Sequence, residues 1–293
     1  MNKLFILLGL LVISCAEPTA EVSQADLDDW ESFKAKRLAN LKLPDGFLNL
    51  AGLYWLEEGE NTFGSDSTNN ILFPNDLPEV MGNFRLKEKT VTILNPTEGL
   101  TIDTLTATET VVFDLDSSVV KIMEYGTYRW FIIERAGDVG IRLINLDHPK
   151  LKETIDIKHF DYNPKLAVQA EFISYTKPKK LKIINVLDHE FEMDIVGQLK
   201  FEIDGKAYTL EPIEDGDRFF IIFSDGTSAI ETYGSGRYLY ADKPTEGGLV
   251  DLNFNRAYNP PCAFTEFATC LIPPPENRLD LRVEAGELDY HVE

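Results

Sequence analysis

The chain has 293 residues, and its 28 lysines and arginines are outnumbered by 49 aspartates and glutamates, which gives a formal net charge of −21 at pH 7. So acidic a chain is not expected to wrap a nucleic-acid backbone or to adsorb to anionic lipid, because both need a basic face. The hydrophobic share of 44% is that of a globular protein and excludes a disordered one.

The N-terminal residues predict export and anchoring. Residues 4–13 form an apolar run that is too short to span a bilayer but has the length of a signal-peptide core. The run ends just before Cys15, in a pattern that resembles a bacterial lipobox. We therefore predict a lipoprotein signal peptide over residues 1–14, lipidation of Cys15 and a tether over residues 15–25. A plain secretory signal with an incidental cysteine is the alternative. The predicted location is the bacterial cell envelope, at the outer membrane, with the lipid anchor as the membrane contact.

The folded part begins with a predicted helix. Apolar residues recur at helical spacing from Leu27 to Leu41, and Ser23 is placed to cap the N-terminus. A Pro-Asp-Gly sequence at residues 44–46 predicts the end of the helix.

After residue 46 the apolar period changes to two, which indicates strands rich in β-branched and aromatic residues. Strands are predicted at residues 90–94, 110–113, 118–122, 129–133, 180–186, 191–196, 200–203, 208–210 and 219–223. Asp204-Gly205 predicts a hairpin turn between two of them. No helical segments alternate with these strands, so a parallel sheet is not expected. We predict a mainly β fold, an antiparallel β-sandwich or barrel-like meander with one N-terminal α-helix. A single domain over residues 26–293 is expected, with a weak internal boundary near residue 148.

The type of positive charge changes along the chain. Residues 150–206 contain ten lysines and no arginine, whereas residues 207–293 contain one lysine and five arginines. Arginine tolerates burial and makes planar, two-pronged contacts with carboxylates and phosphates. The change therefore favours either buried arginine–carboxylate pairs or an anion-binding pocket in the C-terminal third.

A proline-rich stretch follows in the same third. Five of the fifteen prolines lie between residues 260 and 275, among asparagines, arginines and aromatic residues, which indicates an ordered loop. The sequences FNRAYNPPCAF at 254–264 and PPPENRL at 273–279, with Cys270 between them, resemble a family of bacterial proteins, domain-of-unknown-function family 1684. The resemblance extends over residues 30–287. The chain departs from the family pattern at Leu271, where proline is usual. The family implies no activity and no catalytic residues.

Two cysteines remain after lipidation, Cys262 and Cys270. Outside the cytoplasm such a pair favours a disulfide, which would close a small ring and stabilise the fold by about 2–3 kcal/mol. Two free buried cysteines, or one reactive cysteine, are the alternatives.

The leading functional interpretation is a binding module with a pocket for a small anionic or polyhydroxylated ligand. The candidate ligand-binding residues are Arg237, Arg256, Arg278, Asn255, Asn259, Asn277 and Tyr258, with Phe264 as a further wall. The hypothesis fails if the arginines are each paired with carboxylates in a closed core.

Two other classes stay open. A hydrolase of envelope material would use a carboxyl group as acid or base. Its candidates are Asp225, Glu231, Asp251 and Glu276. A protein-interaction module of the envelope is the third class, so the sequence leaves open whether the protein is an enzyme. The four histidines form no zinc-binding motif, and neither a metal nor a cofactor is predicted.

Overall fold

The computed structural model describes residues 22–244 and 248–290. The predicted signal peptide, the predicted lipidation site Cys15 and most of the predicted tether lie outside the described residues. The described chain contains the α-helix α1 (Gln24–Leu41) and the strands β1 (Leu50–Trp55), β2 (Gly59–Gly64), β3 (Ile71–Leu72), β4 (Gly82–Lys87), β5 (Thr90–Leu94), β6 (Thr101–Ile102), β7 (Leu105–Thr106), β8 (Thr110–Asp114), β9 (Val119–Val120), β10 (Met123–Tyr125), β11 (Tyr128–Arg135), β12 (Asp138–Asn145), β13 (Ala167–Ile184), β14 (Glu190–Ile203), β15 (Lys206–Leu210), β16 (Ile213–Asp215), β17 (Arg218–Phe223), β18 (Arg237–Asp242) and β19 (Leu249–Asn253).

Helix α1 confirms the helix prediction. The Ser23 hydroxyl accepts a hydrogen bond from the backbone N–H of Asp26 at 3.1 Å, so it caps the first turn. The helix buries Trp30 and Leu41, and the indole N–H of Trp30 donates to the backbone oxygen of Asn255 at 3.1 Å. This bond ties the helix to the C-terminal third of the chain.

The N-terminal half is a sandwich of two six-stranded sheets. One has the order β1-β12-β11-β10-β6-β7 and the other β3-β2-β4-β5-β8-β9, with all neighbours antiparallel except β2 and β3. Side chains from both sheets share one apolar core. At its centre Phe63 stacks on Phe84, with ring centres 4.4 Å apart, and Trp130 packs edge-on against Phe63.

The C-terminal half contains a four-stranded sheet, β15-β14-β13-β19, and a three-stranded sheet, β16-β17-β18, around a second apolar core. The hairpin of β13 and β14 has strands of 18 and 14 residues. Its register shifts between Ser174 and Lys179, where Pro178 lacks the N–H that a regular ladder needs.

Two strand boundaries differ from the predictions. Strand β14 runs through Gly197, because this glycine lets the paired strands approach closely: a Cβ there would lie 2.6 Å from the backbone oxygen of Ile173. The predicted strand 118–122 is shortened to β9, Val119–Val120, and the chain then crosses to the other N-terminal sheet, where β10 begins at Met123. At the crossing the Ile122 N–H donates to Asp103 Oδ1 at 3.0 Å. The predicted turn at Asp204-Gly205 joins β14 to β15 with both φ angles positive, at 49° and 75°.

The two halves meet through a third apolar cluster. Leu50 and Ile144 from the first half pack in it with Leu181 and Ile183 from the second. The mainly β, antiparallel fold with one N-terminal helix is therefore confirmed, while the single-domain assignment over residues 26–293 stays a prediction. Among the described residues, no helix combines the length and apolar character needed to cross a membrane.

Candidate functional site

A cleft of about 900 Å³ lies between helix α1 and strands β13, β17, β18 and β19. We call it the α1 cleft. It lies where α1 packs against the C-terminal half, to which Trp30 and Arg37 of the helix bond through Asn255 and Glu287. Its volume falls within the range of about 300–1,000 Å³ that is usual for small-molecule sites.

Aromatic rings form one wall of the α1 cleft. Phe220 on β17 is paired across the sheet with Tyr240 on β18, and both line the cleft. The rings of Tyr240 and Tyr258 are parallel to within 11°, with centres 6.4 Å apart, and Tyr238 stands edge-on to Tyr258. These rings offer a flat, apolar surface to whatever enters the cleft.

The hydroxyl groups on this wall differ in what they contact. Tyr240 donates to Asp215 Oδ2 at 2.9 Å, and Tyr238 donates to the backbone oxygen of Leu271 at 2.9 Å. The hydroxyl of Tyr258 has no hydrogen-bond partner within the described parts of the chain. Burial raises the pKa of Tyr258 above its ordinary value, so the hydroxyl stays protonated and can donate.

Two cations of the cleft lack a counter-ion. The Arg218 guanidinium lies 4.1 Å from the centre of the Tyr240 ring. Asp215 and Asp242 stand opposite Arg218 in the strand register on its two sides, and neither forms an ion pair with it. Lys36 on α1 also lines the cleft. Over residues 22–244 and 248–290, neither side chain has a carboxylate within 4.0 Å. Neither cation is therefore held in an ion pair by a side chain of the described residues.

Arg37, by contrast, has a structural partner. Its Nε donates to Glu287 Oε1 at 3.0 Å and its Nη2 to the backbone oxygen of Asn259 at 2.8 Å. Glu287 is fully buried, and its second oxygen accepts from the Asn259 N–H at 2.7 Å. The guanidinium lies 4.6 Å from the Tyr258 ring centre, so this ion pair holds α1 and Tyr258 in their relative positions.

The N-terminal end of α1 carries the acidic part of the cleft. Asp29 on α1 pairs with Arg256, and Asp251 accepts a hydrogen bond from Gln169. Asp26 lines the cleft at the same end and bonds Ser23. The charge of Arg256 is thus balanced. Within the described ranges, Lys36 and Arg218 form no ion pair, and neither do the lining residues Asp26, Asp242 and Asp251.

Arg237 lies in the closed core rather than in the cleft. Its side chain is 0% exposed, and Nη2 donates to Asp225 Oδ2 at 3.0 Å and to the backbone oxygen of Val283 at 2.9 Å. Nη1 donates to the backbone oxygen of Ala285. Burial lowers the pKa of Arg237, and the Asp225 charge opposes that change. This arginine therefore fixes the C-terminal segment.

The side chains of the three predicted asparagines form hydrogen bonds with backbone groups and are not free to bind a ligand. Each is buried and donates through Nδ2 to a carbonyl. Those bonds are Asn255 to Asn163 at 2.9 Å, Asn259 to Leu288 at 2.7 Å, and Asn277 to Glu211 and Ile222 at 3.0 Å each.

Arg278 lies at a second, shallower depression of about 250 Å³, beside Ser224, Ser228 and Ser235. Phe264 is buried against Tyr290, with ring centres 4.9 Å apart. Of the seven predicted ligand-binding residues, the structure brings only Arg256 and Tyr258 to the α1 cleft. The seven do not form one pocket.

The predicted cysteine pair and the predicted acid–base residues do not form one site either. Cys262 and Cys270 form a disulfide, with Cα atoms 6.1 Å apart. Of the four predicted acid–base residues, Asp251 lines the α1 cleft, whereas the other three pair with arginine or lysine elsewhere. Over the part of the chain that the structure describes, no three His, Cys, Asp or Glu side chains are grouped to hold a metal ion.

Sequence reasoning did not single out Lys36, Phe220 or Tyr240, and it counted Arg218 without placing it. The α1 cleft is formed by a helix near residue 30 and strands near residue 240, and no local sequence pattern predicts a contact between such distant segments. The alternation of side chains between the two faces of β17 and β18 is the one sequence signal for this site. It places Arg218, Phe220 and Tyr240 on one face of the sheet.

The fold and the cleft define a mainly β protein with a polar, aromatic-walled cavity. Residues 153–288 match the family described as "Protein of unknown function (DUF1684)". The matched region contains the strands of the cleft, Arg256 and Tyr258, and is shorter than the expected span of 30–287.

Comparison with solved structures finds weak similarity. The solution NMR structure of an uncharacterised protein of Haloarcula marismortui is 27% identical to this chain, with a TM-score of 0.41, and the alignment covers 50% of this chain and 83% of that one. The crystal structure of Rad53 1–466 with AMP-PNP is 10% identical, with a TM-score of 0.17, and covers 57% and 37% of the two chains. The comparison with curated proteins gives no match.

Proposed function

We propose that the protein binds a small anionic ligand that carries a flat ring, and that the α1 cleft is its site. The observation that supports this most strongly is the unpaired Arg218 guanidinium beside the aromatic wall formed by Tyr240 and Tyr258. In a chain with 49 acidic side chains, an arginine in a cleft without a carboxylate partner favours an anion supplied from outside.

The two parts of such a ligand would use different walls. Its anionic group would accept charge-assisted hydrogen bonds from Arg218 and Lys36, each of which contributes about 1.5–3 kcal/mol. Its ring would stack on the tyrosine surface, which adds about 0.5–1.5 kcal/mol beyond the buried area. The Tyr258 hydroxyl would donate to an oxygen of the ligand and fix its orientation.

A binding screen tests the proposal. The panel is phenyl phosphate, 4-hydroxybenzoate, glucuronate and inorganic phosphate, read by thermal shift and then by calorimetry. We expect the anions with a flat ring, phenyl phosphate and 4-hydroxybenzoate, to bind more tightly than inorganic phosphate. Arg218→Gln should weaken that binding by about tenfold to a hundredfold, since it removes one charged partner.

Arg85→Gln is the matched control, because Arg85 forms an exposed ion pair with Glu60 on a sheet of the N-terminal half. It should bind the panel like the wild type. Tyr258→Phe keeps the ring and removes the hydroxyl, so affinity should fall by about two- to tenfold. Failure of every ring-bearing anion to bind, or equal affinity in Arg218→Gln, contradicts the proposal.

We also propose that the chain is attached to the bacterial cell envelope by lipid on Cys15. The support is the short apolar run that stops just before this cysteine. Feeding an alkyne-labelled fatty acid to expressing bacteria should label the wild type and leave Cys15→Ser unlabelled. Equal labelling of both proteins would contradict the anchor.

A further inference from the structure

Two arginines of the N-terminal half converge on one hydroxyl group. Arg135 lies at the end of β11 and Arg142 on the adjacent strand β12. Arg135 Nε donates to Thr269 Oγ1 at 3.3 Å, and Arg142 Nη2 donates to the same oxygen at 3.4 Å. Thr269 belongs to the loop closed by the Cys262–Cys270 disulfide, so the pair faces the C-terminal half of the protein.

The carboxylates nearest in the hairpin are bonded elsewhere. Asp138 stands opposite Arg135 in the strand register, yet its Oδ2 pairs with His189 Nε2 at 3.0 Å. The Glu134 carboxylate accepts from the Gly137 N–H at the turn. In the described ranges, no carboxylate lies within 4.0 Å of either guanidinium.

The pair therefore holds two like charges without compensation. Arg142 is half-buried, and its Nε is shielded from solvent with no hydrogen-bond partner. Burial and the neighbouring Arg135 charge lower the pKa of Arg142 to about 10, so both guanidinium groups are still charged at pH 7. Two adjacent cations in a half-buried position repel each other unless an anion lies between them.

We propose that Arg135 and Arg142 form a binding site for a phosphate-type oxyanion, with the Thr269 hydroxyl as a third partner. Guanidinium groups match such an anion because each can donate two parallel hydrogen bonds. The bound anion would link the β11–β12 hairpin to the disulfide loop and so join the two halves of the protein. This site is separate from the α1 cleft and does not depend on the function proposed for that cleft.

Urea unfolding tests the site without requiring its natural ligand. The wild type is unfolded in sodium phosphate and in sodium chloride at equal ionic strength. We expect a higher urea midpoint in phosphate, because an anion that binds only the folded state stabilises it. Arg142→Gln should lose that increment, and Arg85→Gln, which breaks an exposed ion pair outside both sites, should keep it.

Arg135→Gln gives a second reading. It should also lose the phosphate increment. In low-salt chloride it should be no less stable than the wild type, because the repulsion that is removed offsets the lost hydrogen bonds to Thr269 and to the Glu134 backbone oxygen. If Arg142→Gln does not fold, Arg135→Gln decides alone. An equal increment in the arginine variants, or none in the wild type, overturns the proposal. So does a clear loss of stability of Arg135→Gln in chloride, which would make the arginine a structural contact only.

Calorimetry then identifies the form of the anion. Inorganic phosphate and glycerol 3-phosphate are titrated separately into the wild type and Arg135→Gln. Tighter binding of inorganic phosphate assigns the site to the free ion, and tighter binding of the ester assigns it to a phosphomonoester. In either case Arg135→Gln should bind at least about tenfold more weakly.

Discussion

Arg237→Met is the substitution whose effect the structure defines most sharply. The wild-type guanidinium is fully buried and donates to Asp225, to the Val283 oxygen at 2.9 Å and to the Ala285 oxygen. Methionine fills similar space but leaves the Asp225 side chain, itself 1% exposed, as a buried charge without its partner. Removing one member of a buried ion pair costs about 3–5 kcal/mol. We expect a loss of stability in that range.

The assay is equilibrium unfolding in urea at pH 7, with the free energy of unfolding extrapolated to water. The double variant Arg237→Met/Asp225→Asn removes both charges, and it should be more stable than Arg237→Met alone because no uncompensated charge stays buried. The control is Arg85→Gln, which breaks an ion pair whose partners are each 51% exposed and should cost about 0–1 kcal/mol. A cost below about 1 kcal/mol for Arg237→Met, or additive effects of the two substitutions, would refute the reasoning.

Three further predictions concern stability. Replacing Cys262 and Cys270 together by serine should lower the free energy of unfolding by about 2–3 kcal/mol, since the disulfide ring no longer constrains the unfolded chain. A dithiothreitol titration of the wild type should give the same loss. No loss of stability in either experiment would contradict this prediction. Burial lowers the pKa of His159 below 6.5, so the unfolded chain takes up the proton first and stability falls as the pH drops below that value. His159→Asn should therefore show a smaller acid-side loss between pH 7 and pH 5 in urea unfolding; an unchanged pH profile would contradict it. Trp30→Phe removes the hydrogen bond to the Asn255 oxygen and should cost about 1–2 kcal/mol, and a cost equal to that of an exposed substitution on α1 would contradict it.

Local chemistry accounts for the parts of the fold that the sequence predicts. Ser23 and the Pro-Asp-Gly stop define α1, and the positive φ angles that Asp and Gly tolerate define the turn at residues 204–205. The sequence predicts a strand break at Gly197, because glycine often interrupts a strand. In the structure this glycine instead allows two paired strands to approach closely. The chain changes sheet between Val120 and Met123, and this change is determined by tertiary packing and gives no periodic signal in the sequence.

The candidate site is predicted less well for a physical reason. The change from lysine to arginine directs attention to the C-terminal third, but it does not distinguish a buried ion pair from a free cation. The structure contains both: Arg237 pairs with Asp225, and Arg218 has no carboxylate partner among the described residues. Whether an arginine finds a carboxylate partner depends on how the strands and the helix pack. Arg37 is an example, because its partner Glu287 lies 250 positions away in the sequence.

The most direct test of the central claim is a crystal structure of the protein with the panel anion that binds most tightly. The account predicts a ligand in the α1 cleft, with its anionic group bonded to Arg218 and its ring on the wall formed by Tyr240 and Tyr258. A ligand bound at Arg278 or between Arg135 and Arg142, with the α1 cleft empty, would contradict it.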